Sequence, residues 1–388
     1  MGLEVLVASR GEHSLVSEVH QGLHVDLDDT SSALARILEA AREAPFAGVL
    51  GCDDATVELA ALAANAFALP HNPPSAARLT RRKDLARAHL TKLKCAVPVH
   101  RLVDLTRAYE DQVAGMTWPC VVKPLNLSAS CGVIRANDLA EFIAACDRIQ
   151  NIIARSNDDF ERTHVLVEAY IDGVEVAFEG YLHKGELHML ALFDKPDPLC
   201  GPFFEETIYV TPSRLNEATQ ARILECVARA CRAYGLRTGP IHAELRIDER
   251  DAWILEVASR TIGGECSRSL DMGEYFNLEE FVISLAIDQP QTARTVDEAR
   301  GVMMIPIKER GILRHVEGLR DARGVTNVVN VDILVHPGHE LVPLPEGNQY
   351  PGYIFARGQS PGEVVSALRE AHSRLNFVVA PVFKLVAE

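Results

Sequence analysis

The chain lacks several features that would settle a function at once. It has no run approaching the roughly 18 apolar residues of a membrane-spanning helix. Its start, MGLEVLVASRGEH, has no charged leader, long apolar core or small-residue cleavage site. There is no GxxxxGK[ST] phosphate loop and no GxSxG nucleophile turn. The nine cysteines are an odd number without a CxxC pair or a His-Cys group at zinc spacing, which predicts reduced thiols in a cytoplasmic protein. Positive charge is scarce: 39 Lys and Arg against 54 Asp and Glu leave a net −15. That excludes nucleic acid and anionic membrane as principal partners, because both select basic surfaces. An anionic small ligand would need its cations gathered locally. What is present is ordinary: 388 residues, 47% hydrophobic and 24% charged, enough for two or three domains.

Residues 1–75 alternate strand and helix, with LEVLVAS, HVDLD and AGVLGCDD as strands and SSALARILEAAREA and ATVELAALAANAF as helices, a pattern that predicts a parallel sheet. HNPPS ends it. A basic helix follows over 78–95, with Thr80 as its cap and Lys83 in its first turns; a strand (VPVHRLV) and a helix (LTRAYEDQVAG) fill 96–117. Next come PCVVKP, a small polar loop and a further strand, then a capped helix, DLAEFIAACDRIQNIIARS. HVLVEAYI and VEVAFEGYL flank an Asp172-Gly173 turn, and HKGELHMLALF continues the meander. A proline-rich loop precedes a long helix stopped by glycine, LNEATQARILECVARACRAYGL. FNLEEFVISLAID reads as a helix, residues 301–388 as strand-rich, and the helix PGEVVSALREAHSRL closes the chain.

The stretch 239–268 reads as a β-hairpin with a glycine-bearing exit. Ala243, Leu245 and Ile247 share one face of its first strand, and His242, Glu244 and Arg246 the other. On the second strand Trp253, Leu255 and Val257 share a face, opposite Glu256, Ala258 and Arg260. Closure about Arg250 puts Glu244 directly across from Glu256. Facing like charges destabilise a ladder, so something cationic belongs between them, and carboxylates with phosphate oxygens hold Mg²⁺ in this way. A solvated outer face is the competing reading.

Other candidates are individually modest. Lys123 ends an apolar strand before Ser128-Ala129-Ser130-Cys131-Gly132, a small-residue loop whose backbone N–H groups can close on phosphate; a plain surface hairpin has the same look. Glu168 and Glu175 lie on the two strands around Asp172-Gly173, and a carboxylate can accept both ribose hydroxyls, though by themselves they are better accounted for as ordinary hairpin charge. Arg260 suits a carboxylate or phosphate, and Gly263 and Gly264 allow close backbone approach. Glu205 and Glu206 sit in the proline-rich loop, able to meet an ammonium or simply solvent. His164, His183 and His188 have no second ligand at metal spacing.

The order of these signals is more specific than any one of them. Lys83, VVKP with its loop, LVEAYIDGVEV, HAEL and ILEVASRTIGG together resemble the ATP-grasp superfamily, and within it the carboxylate–amine ligases related to bacterial L-amino-acid ligases. The resemblance implies an α/β fold, α+β in its lid and C-terminal parts. It implies an N-terminal parallel α/β domain over 1–77 without its first strand and helix, linking helices over 78–115, an ATP-grasp domain over 116–300 with a lid near 116–175, and a strand-rich segment over 301–388 completing the ligase domain. Lys83, Lys123 and the Ser128, Ser130 and Gly132 loop would bind ATP phosphates. The backbone from Glu168 through Ala169 to Ile171 would bind adenine, and Glu175 the ribose. Glu244 and Glu256 would hold Mg²⁺, a place Mn²⁺ can also take. Arg260, Gly263 and Gly264 would serve the substrate carboxylate and its phosphorylated form, with Glu205 or Glu206 for an amino group and His242 beside them. The implied chemistry is amide formation between a carboxylate and an amine through an acyl phosphate. A homodimer is the expected oligomer on general grounds, an isologous dimer being the commonest soluble assembly. Two departures stand out: Ala258 where many superfamily members carry asparagine, and Cys131 where related sequences often carry arginine. A nucleotide-binding protein without catalysis, and a carboxylase or ribonucleotide-type ligase on the same fold, remain open as alternatives.

Overall fold

The computed structural model describes residues 2–11, 21–270, 277–292 and 298–382. Its centre is an eight-stranded sheet. Val174–His183 pairs antiparallel with both Gly239–Ile247 and Glu186–Asp194, and Gly239–Ile247 pairs with Ala252–Ala258 at the edge. In the other half Ile208–Thr211, Ala299–Met304, Gly352–Gly358 and Val328–Ile333 follow in spatial order, the last three from late in the chain. Alternation gives the sheet two characters. Val176, Phe178, Ile241, Ala243 and Leu245 are buried under the helix Glu217–Tyr234, which presents Ile223, Val227, Ala230, Cys231 and Tyr234 at helical spacing. Asn216 caps that helix through Thr219 N–H, and Gly235 ends it at φ 80°, a left-handed conformation that suits glycine. Truncating the fully buried Ile223 to Ala would cost about 2–5 kcal/mol. The opposite face carries Glu175, Glu179, His242, Glu244 and Arg246 and faces the cleft.

A four-stranded sheet stands on the other side of the cleft, with His100–Asp104, His164–Ala169, Cys120–Lys123 and Ile134–Ala136 in that order. The helix Leu139–Ile153, capped by Asp138, packs Phe142, Cys146 and Ile149 against it. The parallel pair Leu6–Arg10 and Gln21–Val25 belongs to the N-terminal part, and Gly311–Glu317 forms a three-stranded sheet with Glu340–Leu341 and Asn376–Ala380.

Several local expectations are corrected. Residues 47–54 form no strand among the described residues; Val49 packs against the cluster around Val25, Ile37 and Leu59 without a ladder. The basic segment is two helices, Pro74–Arg81 and Lys83–Lys92, parted at an extended Arg82 (φ −102°, ψ 104°). Thr80 therefore does not cap; its buried hydroxyl donates to Ala77 O inside the first helix. The helix expected over 105–115 shrinks to Tyr109–Gln112. Asp172-Gly173 is not a hairpin turn, because the strand before it pairs in the small sheet and the strand after it in the large one. It is the crossover between sheets, and a Cβ at Gly173 would collide with the Ile247 carbonyl. A bulge beside Leu245 breaks the alternation expected for Ala252–Ala258, so Ile254 and Val257 turn to the core while Leu255 and Glu256 line the cleft. Glu244 still faces Glu256. A final strand, Asn376–Ala380, follows the last helix.

Candidate active site

Between the two sheets lies a cleft of about 370 Å³. Lys83, Lys123, Ser128, Ser130, Glu168, Ala169, Ile171, Glu175, Glu206, His242, Glu244, Glu256, Arg260, Gly263 and Gly264 all line it, from stretches far apart in the chain. Gly132 and Glu205 do not. Gly132 donates its N–H to Pro345 O (2.8 Å), and Glu205 turns away to accept from Ile307 N–H (3.2 Å).

The small-sheet wall is built around a buried carboxylate. Glu168, 2% exposed, accepts from Arg87 and pairs with Lys123 at 2.7 Å. Burial alone would raise its pKa, but the two cations prevail and hold it near 2. The strand order makes this possible: Cys120–Lys123 and His164–Ala169 are ladder neighbours, with Lys123 across from Leu166. Arg87 lies one turn beyond Lys83 and also donates to Leu255 O, so the helix is tied to the bulge. Lys83 donates its backbone N–H to Leu125 O and its ammonium to Leu127 O, and pairs with Glu256 at 3.1 Å. Cys131 is buried, with its thiol 3.9 Å from Glu346 O, beneath the 343–347 loop.

The large-sheet wall is denser. Lys195, 3% exposed, donates to Glu206 (2.6 Å), Glu175 (2.9 Å) and Glu244 (2.9 Å), and its ammonium lies 4.9 Å above the Tyr209 ring. Burial pushes Glu206 up to about 7 despite Lys195, whereas Lys195 and His242 outweigh burial and hold Glu244 well below the usual carboxylate range. Arg246 pairs with Glu175 at 2.9 Å, donates to Ile171 O at 2.8 Å and lies against the Tyr170 ring. His242 sits between Glu179 (3.5 Å) and Glu244 (3.9 Å); burial opposes its charge, but the two carboxylates raise its pKa to about 9. Fully buried Glu179 accepts the Ile262 N–H, anchoring the loop that follows Arg260. Arg260 itself is held by Asp54.

The donor set fits a hard cation. Among the described residues, Glu175, Glu206 and Glu244 offer oxygens all within 4.8 Å of one another, and Glu256 faces Glu244 across the ladder. In the protein alone this acid is met by Lys195, by Arg246 on Glu175, by His242 beside Glu244 and by Lys83 on Glu256. Sequence reasoning missed Lys195, Arg246, Arg87, Glu179 and Asp54. Arg246 was legible, sharing a strand face with Glu244, and Arg87 follows Lys83 at helical spacing. Lys195, Glu179 and Asp54 carry no local signal.

Three family models match the chain in succession: an ATP-grasp N-terminal domain over 1–71, an ATP-grasp domain over 116–269 and an L-amino acid ligase C-terminal domain 2 over 303–380. The L-amino acid ligase of Bacillus licheniformis superposes with a TM-score of 0.82 at 25% identity, over 98% of this chain and 93% of that one. An uncharacterized protein of Sinorhizobium fredii is 24% identical over 81% of this chain and 64% of its own length. The alanine–anticapsin ligase of Bacillus subtilis is 29% identical over 37% of this chain and 34% of its own. The chain thus spans about a third to two thirds of the length of these curated relatives. No helix among the described residues is long and apolar enough to cross a membrane.

Proposed function

We propose that this chain, an ATP-grasp ligase similar to the L-amino-acid ligases, joins the carboxylate of an amino acid to an amine at the expense of ATP. One observation carries the reading: in a chain of net charge −15, Lys83, Lys123 and Arg260 converge with Glu244 and Glu256 on a single cleft. A carboxylate oxygen attacks the γ-phosphorus, ADP leaves, and an acyl phosphate forms. The amine nitrogen then attacks the acyl carbon, inorganic phosphate leaves, and the amine gives up one proton as the amide forms.

Such chemistry asks the protein for alignment, charge neutralisation and dryness. Lys83 and Lys123 serve the phosphates, with the Ser128–Ser130 backbone closing over them. The 168–171 backbone serves adenine and Glu175 the ribose. Arg260 and the Gly263-Gly264 backbone hold the substrate carboxylate in line, and Glu206 meets its ammonium. Mg²⁺, held by Glu244 and Glu256, would neutralise charge on the phosphoryl group. The lid sheet excludes water by resting on the 343–347 loop, where Gly132 N–H meets Pro345 O and Arg148 pairs with Glu346.

The test is incubation with ATP, Mg²⁺ and pools of amino acids, reading phosphate release together with product mass. Amino-acid-dependent phosphate and a condensed product are expected. ATP binding without turnover would overturn the reading, and turnover requiring bicarbonate would replace it with a carboxylase. Glu256→Gln should lower kcat by about 100-fold or more.

A further inference from the structure

Arg260 is not a free cation. Its Nε–H and one Nη2–H donate side by side to the two carboxylate oxygens of Asp54, at 2.9 and 2.8 Å, and Nη1 donates to Thr261 O at 2.9 Å. A guanidinium has five N–H groups. Three are taken, leaving one on Nη1 and one on Nη2 to donate to a carboxylate or phosphoryl group. Asp54 comes from 206 residues earlier in the chain. Its neighbour Asp53 is absorbed locally, accepting from Thr56 N–H and Thr56 Oγ1 where the helix Val57–Ala66 begins. Asp54 has no such local bond, and both it and Arg260 line the cleft. The ion pair is largely sheltered, with side chains 24% and 14% exposed.

We propose that Asp54 is a positioning residue for the reaction: its carboxylate occupies the side-on edge of Arg260 and fixes the guanidinium so that the remaining Nη1 and Nη2 donors face the substrate carboxylate. This rests on the reading of Arg260 as the ligand of that carboxylate. Without Asp54 the flexible guanidinium rotates, and those two donors are no longer presented. The N-terminal part of the chain thereby contributes to substrate recognition.

The test has two arms. In ¹⁵N-labelled protein, the Arg260 Nε–H signal, identified by its loss in Arg260→Lys, should be slowly exchanging in the native chain and collapse in Asp54→Ala. A signal unchanged in Asp54→Ala would overturn the proposal. In kinetics, Asp54→Ala should raise KM for the carboxylate substrate by about tenfold or more, as for loss of a charge-assisted hydrogen bond, while KM for ATP stays within about twofold. Asp54→Asn, which keeps one acceptor, should fall between them and serves if the alanine variant does not fold. Formate at tens of millimolar should restore part of the Asp54→Ala activity by filling the vacated carboxylate position. An unchanged KM, or a parallel rise in both KM values, would overturn the proposal. If the native chain releases no phosphate with any amino acid, the functional reading falls, and the exchange arm still decides whether Asp54 holds Arg260.

Discussion

Two clusters on opposite walls of one cleft carry opposite excess charge. Beside the four-stranded sheet, Arg87 and Lys123 enclose the single carboxylate of Glu168. On the large sheet, Glu175, Glu206 and Glu244 close on the single ammonium of Lys195, with Arg246 reaching only Glu175. One wall therefore has positive charge to spare, as the proposed phosphate site requires, and the other negative charge to spare, as the proposed metal and ammonium sites require. The overall −15 conceals this separation. Burial sharpens it, because charges screened from water interact more strongly than exposed ones.

The most severe way to break the comparison is Lys195→Met. It leaves Glu206 without a cation and deprives Glu175 and Glu244 of their shared ammonium, and should cost about 3–5 kcal/mol, read as a fall in melting temperature. Mg²⁺ should restore more of that loss than it adds to the native chain; an equal Mg²⁺ response in both would refute the acid-rich reading. Glu168→Leu tests the other wall. Two stranded cations should cost about 3 kcal/mol, recovered by tripolyphosphate and not by Mg²⁺. The two walls also divide the pH dependence. Glu168, lowered to about 2, contributes stability that is present above the ordinary 4.5 and lost as pH falls through 2. His242, raised to about 9, contributes stability that is full below 6.5 and lost as pH rises through 9. Each limb is worth on the order of 3 kcal/mol. Melting curves from pH 2 to 10 should lose the acid limb in Glu168→Gln and the alkaline limb in His242→Gln. Glu206→Gln should raise KM for the amino-acid substrate about tenfold, whereas Glu205→Gln, whose carboxylate faces Ile307 N–H, should leave it unchanged. Smallest is Arg148→Ala. Its pair with Glu346 is about 40% exposed, so under about 1 kcal/mol of stability should be lost.

Much of this was readable before the fold. Glu244 opposite Glu256 follows from strand alternation and a short charged turn, and the ladder has it. The long helix ends at its glycine. Reading failed where the outcome depended on partners far along the chain. HVLVEAYIDGVEV has every local mark of a hairpin, yet its two strands enter different sheets because His100–Asp104 and Gly239–Ile247 compete for them. The bulge beside Leu245 is likewise invisible locally; Arg87 on the Leu255 carbonyl accompanies it. Between Glu205 and Glu206 the sequence offered no choice, since adjacent residues differ only in the direction a loop turns them.

The sequence by itself determined the order of elements, the alternation that sends acids to one face and aliphatic residues to the other, and the residue types that resemble an ATP-grasp ligase. These are short-range properties, set by backbone period and side-chain chemistry. Only the tertiary structure decided which charges meet. Lys195 finds three glutamates, Arg87 finds Glu168 and Arg260 finds Asp54 across separations of 11 to 206 residues. Such pairs are selected by burial, where an unpartnered charge is too costly to keep, and burial is a property of the folded chain.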